Sequence, residues 1–270
     1  MENQYTRTNL LQENDYKYAL QDVEQPVLFR DVFPYDQVPM TRFNHRLVPM
    51  YVPDEIWITD TTFRDGQQAM APFTPTQIRD LYQMMHRLGG ENGIIRQCEF
   101  FVYTQKDREA LALCQDLGYE FPEITTWIRA SKKDFELVKN LGIKETGILV
   151  SCSDYHIFNK MGLTRKQAMD KYLGVVKDAL ALGIRPRCHF EDITRADFYG
   201  FVVPFANELM RLMAEAKTPI KIRMCDTMGY GVPYPGAALP RSVPGIVYGL
   251  RFYSGVPSEL LEWHGHNDFH

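Results

Sequence analysis

The chain has 270 residues, 45% hydrophobic and 24% charged, and its 30 Lys and Arg against 34 Asp and Glu leave a formal net charge of −4. These proportions exclude a disordered, collagen-like or disulfide-framework chain. The faintly acidic balance, with Lys and Arg scattered, gives no footprint for a nucleic-acid partner. Cys98, Cys114, Cys152, Cys188 and Cys225 lie far apart with no C-x-x-C pair, which fits a reducing, cytoplasmic setting. The start carries no basic-then-apolar leader and no later run reaches ~18 apolar residues, so a soluble chain with no membrane partner is expected.

Residues 1–53 are polar at first, then dense in Pro and aromatics without helical or alternating period, and read as an extended N-terminal arm. A catalytic domain is expected over 54–270. Within it, seven short apolar runs predict strands at 56–59, 94–102, 124–128, 145–151, 187–190, 220–224 and 260–264. Amphipathic segments lie between them. At 76–88, Ile78, Leu81, Met85 and Leu88 recur at helical spacing behind Thr74-Pro75, which suits an N-cap followed by the first helical residue. At 166–182, Met169, Tyr172, Val176 and Ala179 repeat the pattern and Gly183 ends it.

Strands spaced ~30–40 residues apart, with a helix in each gap, imply β-α crossovers and a parallel sheet. Polar clusters follow the first, fourth, fifth, sixth and seventh runs. A doubly wound sheet gathers such residues at one switch point, whereas a TIM (β/α)8 barrel collects them from many strand ends into one mouth. The sequence also lacks a glycine-rich nucleotide loop. The α/β barrel is therefore expected, but the sequence stops at His270, just after the seventh run. A barrel still needs an eighth strand and helix there, so the expectation is a barrel truncated after its seventh strand, a fragment of a longer protein.

Two clusters carry the sharpest chemistry. In DTTFRDGQQ (60–68), Arg64 and Asp65 offer a permanent cation beside a hard oxygen ligand; a surface ion pair at a turn is the other reading. In HGHND (264–268), His264 and His266 are two positions apart and project to one face of a strand. With one carboxylate they make a two-histidine, one-carboxylate metal set; a satisfied polar pair is the alternative. SCSDYH (151–156), HFEDITR (189–195) and DTMGYGVP (226–233) stand at further strand ends. Each singly suits a cap, a charge run or a turn. Together they read as one polar mouth.

Taken in order, DTTFRDGQQ, SCSDYH, FEDITRAD, CDTMGYGVP and HGHND resemble the DRE-TIM metallolyase superfamily, from Ile56 to His270. Within it the chain is similar to the Claisen-condensing synthases, which include the 2-isopropylmalate, homocitrate and Re-citrate synthases. The resemblance implies condensation of acetyl-CoA with an α-keto acid at a divalent cation (Mg, Mn or Zn) held by Asp65, His264 and His266. It implies catalytic roles for Arg64, which would stabilise the enolate or alkoxide oxygen, and for Glu191. Gln68, His156 and Thr227 would bind substrate, Thr227 through the keto acid's carboxylate. A homodimer or larger homo-oligomer is expected. QCEFF (97–101) and the loop GYGVPYPGAALPRSVP depart from the isopropylmalate synthase wording, and the base that deprotonates acetyl-CoA is unassigned. A metal-dependent C–C lyase or aldolase, and a non-catalytic binding relative, are the competing functions.

Overall fold

The computed structural model describes residues 41–43, 46–48, 53–68, 70–129, 132–233, 237 and 240–266. The arm expected over 1–53 therefore lies outside the described residues as far as residue 40. Two strands follow, β1 (Thr41–Phe43) and β2 (Arg46–Val48), which pair antiparallel with Thr41 opposite Val48. They belong to the same compact unit as everything after them, Met40–His270.

All seven expected strands form, and they make one parallel sheet in chain order: β3 (Ile58–Asp60), β4 (Ile95–Phe100), β5 (Glu123–Ile128), β6 (Glu145–Ser151), β7 (Arg185–Glu191), β8 (Lys221–Asp226) and β9 (Leu261–Gly265). Helices occupy the connections: α1 (Pro75–Gly89), α2 (Gln105–Gln115), α3 (Lys132–Asn140), α4 (Arg165–Ala181), α5 (Val203–Ala216) and, between β8 and β9, α6 (Val243–Ser254). This is a TIM-like α/β arrangement in which β3 and β9 are the two edges, with no backbone pairing between them among the described residues.

Helix starts are written locally. Thr74, Thr104 and Thr164 each accept a hydrogen bond from the backbone N–H three residues on, while the side chains of Gln77, Asp107 and Gln167 accept one from the cap's own backbone N–H. Each capping box satisfies two donors that a helix N-terminus leaves open. Gly183, at φ 75°, follows α4 in the left-handed region that glycine tolerates.

Side chains alternate across each strand, so residues of like parity share a face. On the helix-facing side Cys98, Phe100, Ile148, Val150, Cys188, Phe190, Ile222 and Met224 are buried in the apolar core. Phe190 stacks on Phe205 of α5 with ring centres 5.2 Å apart, and Phe100 meets Phe63 at 5.0 Å. The five cysteines are buried and unpaired. Among the described residues no helix is long and apolar enough to cross a membrane.

The opposite face is charged. Gln97, Glu99, Glu145, Arg187, His189 and Arg223 are all buried there. One glycine makes the arrangement fit: a Cβ on Gly147 of β6 would come within 2.6 Å of His189 Nε2 and 3.1 Å of Trp127 Cδ1. Gly147→Ala must therefore displace His189 or Trp127. Overpacking of this kind costs about 1–3 kcal/mol. A lower urea midpoint with an unchanged slope is expected for this variant.

Candidate metal and catalytic site

Polar groups gather at the C-terminal ends of the strands in two clusters. The first joins the two edges. Just past β3 the chain turns back on the Thr61 carbonyl, which accepts from the Arg64 and Gly66 N–H groups, and this turn sets Asp65 beside β9 ahead of a short 3-10 helix, Gly66–Gln68. His264 Nε2 lies 3.0 Å from Asp65 Oδ2, and His266 Nε2 lies 3.3 Å from His264 Nε2. His266 follows the strand's last residue, and its backbone N–H donates to the Asp226 carbonyl at 3.3 Å. One donor atom from each of Asp65, His264 and His266 fits within 4.8 Å of the others. Two imidazoles and a carboxylate this close, on the rim of the fold, suit a divalent cation and leave coordination positions for other ligands.

Arg64 and Asp65 are an ion pair, Nη1 to Oδ1 at 2.5 Å, but not the surface pair of the alternative reading: the Arg64 side chain is only 9% exposed. Its Nε donates to Glu99 Oε2 at 2.5 Å. Gln68 Nε2 donates to Asp65 Oδ1 at 3.2 Å. Burial works against the Asp65 charge, yet the hydrogen bond with His264 and the nearby Arg64 guanidinium hold its carboxyl below the usual range.

The second cluster is built by β6, β7 and the turns after them. Glu191 accepts hydrogen bonds from Ser151 Oγ and from His156 Nδ1, the latter at 2.9 Å, and Lys160 Nζ stands 3.5 Å away. Burial opposes its ionisation, but the Ser151 hydrogen bond and the His156 and Lys160 contacts keep the carboxyl below its ordinary range. The next residue, Asp192, sits at φ 63°, ψ 35°. This left-handed backbone lets its buried carboxylate take Ser153 Oγ at 2.5 Å and Arg195 Nη2 at 2.7 Å. His156 is thereby flanked on both ring nitrogens, with Asp192 Oδ2 3.9 Å from Nε2. Thr227 Oγ1 accepts the Asp192 backbone N–H at 2.9 Å.

Thus Arg64, Asp65, Gln68, His264 and His266 meet directly, while His156, Glu191 and Thr227 form a separate group. The sheet register relates the two. Ser151 pairs with Glu191, Glu191 with Cys225, and Cys225 with His264, so the clusters share one row two strands apart. At the usual strand spacing that is roughly 10 Å. Asn267, Asp268 and residues 234–236, 238 and 239 of the Pro-rich loop lie outside the described residues.

Beneath Arg64 runs an ion network absent from the expected site. The second oxygen of Glu99 takes Arg187 Nη2 and, at 3.0 Å, Arg223 Nη1. Arg223 also forks onto Glu262 at 2.9 and 2.8 Å. A signal was available: polar side chains recur at every second position of apolar runs, in Gln97-Cys-Glu99, Arg187-Cys-His189 and Lys221-Ile-Arg223. Although burial disfavours its charge, the Arg223, Arg187 and Arg64 guanidinia bring the Glu99 carboxyl down to about 2. Burial, and then the same three cations, hold His189 neutral well below its ordinary range.

Comparison with known proteins follows the same lines. The HMGL-like family profile matches residues 55–270. The chain is 60% identical over 255 residues to citrate (Re)-synthase of Clostridium kluyveri, covering 94% of this chain and 56% of that protein. It is 62% identical over 255 residues to the citrate (Re)-synthase of Syntrophus aciditrophicus, covering 94% and 40%. It is 40% identical to 2-phosphinomethylmalate synthase of Streptomyces hygroscopicus over 255 residues, covering 93% and 58%. The chain thus spans roughly half the length of these relatives. Among solved structures, hydroxymethylglutaryl-CoA lyase from Pseudomonas aeruginosa shares the fold, with a TM-score of 0.58 at 17% identity, covering 82% of this chain and 71% of that one.

The network fixes the sign of the acid response. The unfolded chain protonates His189 below pH ~6.5 while the folded chain does not, so stability falls as pH drops through that value. The Glu99 contribution is complete above pH ~4.5 and is lost as pH falls toward about 2. Urea midpoints measured from pH 8 to pH 3 should decline in both windows, and His189→Gln should remove the upper decline.

Proposed function

Because the chain belongs to the HMGL-like family, we propose that it carries the site for a metal-dependent Claisen condensation of acetyl-CoA with oxaloacetate, the reaction of a citrate (Re)-synthase. The observation that carries this reading is the convergence of Asp65, His264 and His266 beside the buried Arg64. Identity of 60% and 62% to two citrate (Re)-synthases over 94% of the chain supports the choice of keto acid.

A divalent cation held by Asp65, His264 and His266 would supply Lewis-acid polarisation of the keto carbonyl. The chain's own groups do the rest. Arg64, gripped by Glu99 and Asp65, presents fixed positive charge where the oxyanion develops. Gln68 steadies the Asp65 carboxylate. The Thr227 hydroxyl keeps its proton free to donate to a substrate carboxylate, since its oxygen is already an acceptor for Asp192.

Glu191 and His156 form a carboxylate–imidazole pair. With Glu191 fixing Nδ1, the Nε2 side of the ring can take a proton from the acetyl methyl group, and the contact supports reading this pair as the base. The carbanion then attacks the keto carbon, and hydrolysis of the thioester releases CoA and makes the sequence effectively irreversible.

The roles separate by mutation. Asp65→Asn should weaken metal binding, whereas Arg64→Ala should leave the metal bound and lower kcat about 10²–10³-fold. Calorimetric titration with Mn²⁺, run beside oxaloacetate-dependent CoA thiol release, checks both. Equal loss of metal binding in the two variants would refute the division of roles, and release of pyruvate or acetoacetate in place of free CoA would point to the lyase.

A further inference from the structure

The two edge strands share no backbone hydrogen bonds, yet the first cluster needs them in register to within a fraction of an ångström: Asp65 comes from the turn after β3, and His264 from β9. Some side-chain contact must set that distance. Glu262 is placed to do so. It lies two residues before His264 on the same face of β9, and lines one cleft with Thr59 of β3. Arg223, opposite it on β8, grips both of its oxygens and extends a third bond to Glu99. Glu99 in turn holds Arg64.

The contacts therefore close a ring: Arg64 to Glu99, Glu99 to Arg223, Arg223 to Glu262, along β9 to His264, and from His264 through Asp65 back to Arg64. We propose that the Arg223–Glu262 pair is a positioning element for the active site. It holds the histidine strand against the Asp65 turn and fixes the Glu99 carboxylate that orients Arg64. A planar guanidinium with five fixed donors can bind two carboxylates at set angles, which a lysine cannot. The inference rests on the metal-dependent reading of Asp65, His264 and His266.

Removing one partner would bury an unpaired charge and could unfold the chain, so both are replaced together: Arg223→Met with Glu262→Met, in the intact protein. Exchanging a whole buried pair for apolar residues is often neutral for stability, and Glu99 keeps Arg64 and Arg187. Arg185→Gln with Glu123→Gln, an ion pair at the N-terminal ends of β7 and β5, serves as the control. Mn²⁺ affinity is read by calorimetry, with kcat and KM for the keto acid and a thermal melt alongside. Positioning groups behind metal ligands typically govern affinity or activity by 10–100-fold. The expected result is a Mn²⁺ Kd raised by about that factor and a fall in kcat larger than any change in KM, with a cooperative melt and an unaffected control. A folded double variant with wild-type Mn²⁺ affinity and kcat would overturn the positioning role and leave the proposed function standing. Failure of the unmutated protein to bind Mn²⁺ would overturn both.

Discussion

One carboxylate, that of Glu99, holds three guanidinia at the centre of the fold. Fully buried, it binds Arg64 through one oxygen and Arg187 and Arg223 through the other. Taking such charges out of water costs several kcal/mol per ion unless geometry and further hydrogen bonds offset it. Here each arginine has a second anionic partner: Asp65 for Arg64, Glu145 for Arg187, Glu262 for Arg223. The strands are consequently tied together across their inner face by charge, while apolar packing ties their outer face to the helices. An interior of this kind is directional. It tolerates few alternative packings, which suits a cluster whose Arg64 guanidinium must stay within hydrogen-bonding reach of the Asp65 carboxylate.

The strands and the principal helices were legible because their signals are local. Apolar runs bounded by turn residues mark β6 to the residue, a Thr-Pro start marks α1, and Gly183 marks the end of α4. The convergence of Asp65, His264 and His266 was also legible, since H-x-H and the DTTFRDGQQ turn each announce themselves within a few positions. Glu99 was not. It stands in a stretch read as a departure from the expected wording, and its importance arises from partners 35, 88 and 124 residues away. Nor could the sequence separate a surface ion pair at Arg64–Asp65 from an enclosed one, because the partners that close on it, Glu99 of β4 and His264 of β9, are distant in the chain. The antiparallel ribbon of β1 and β2 escaped notice for another reason: three-residue strands are too short to show a period.

The two polar clusters differ in character. Along the row that connects them, one end presents a permanent cation and imidazoles, the other a carboxylate saturated with donors. Between them stands Cys225, a small side chain in the middle of the row.

The buried cysteines bear on how this protein can be handled. Cys98, Cys114, Cys152, Cys188 and Cys225 are all enclosed, and burial pushes the Cys188 and Cys225 thiols up to about 12. Since the thiolate is the nucleophile, enclosed groups of this kind are close to inert toward disulfide reagents at neutral pH. A chromogenic thiol reagent added to the native protein therefore sees almost no sulfur of its own, and the same reagent becomes a stoichiometric reporter the moment the sheet opens.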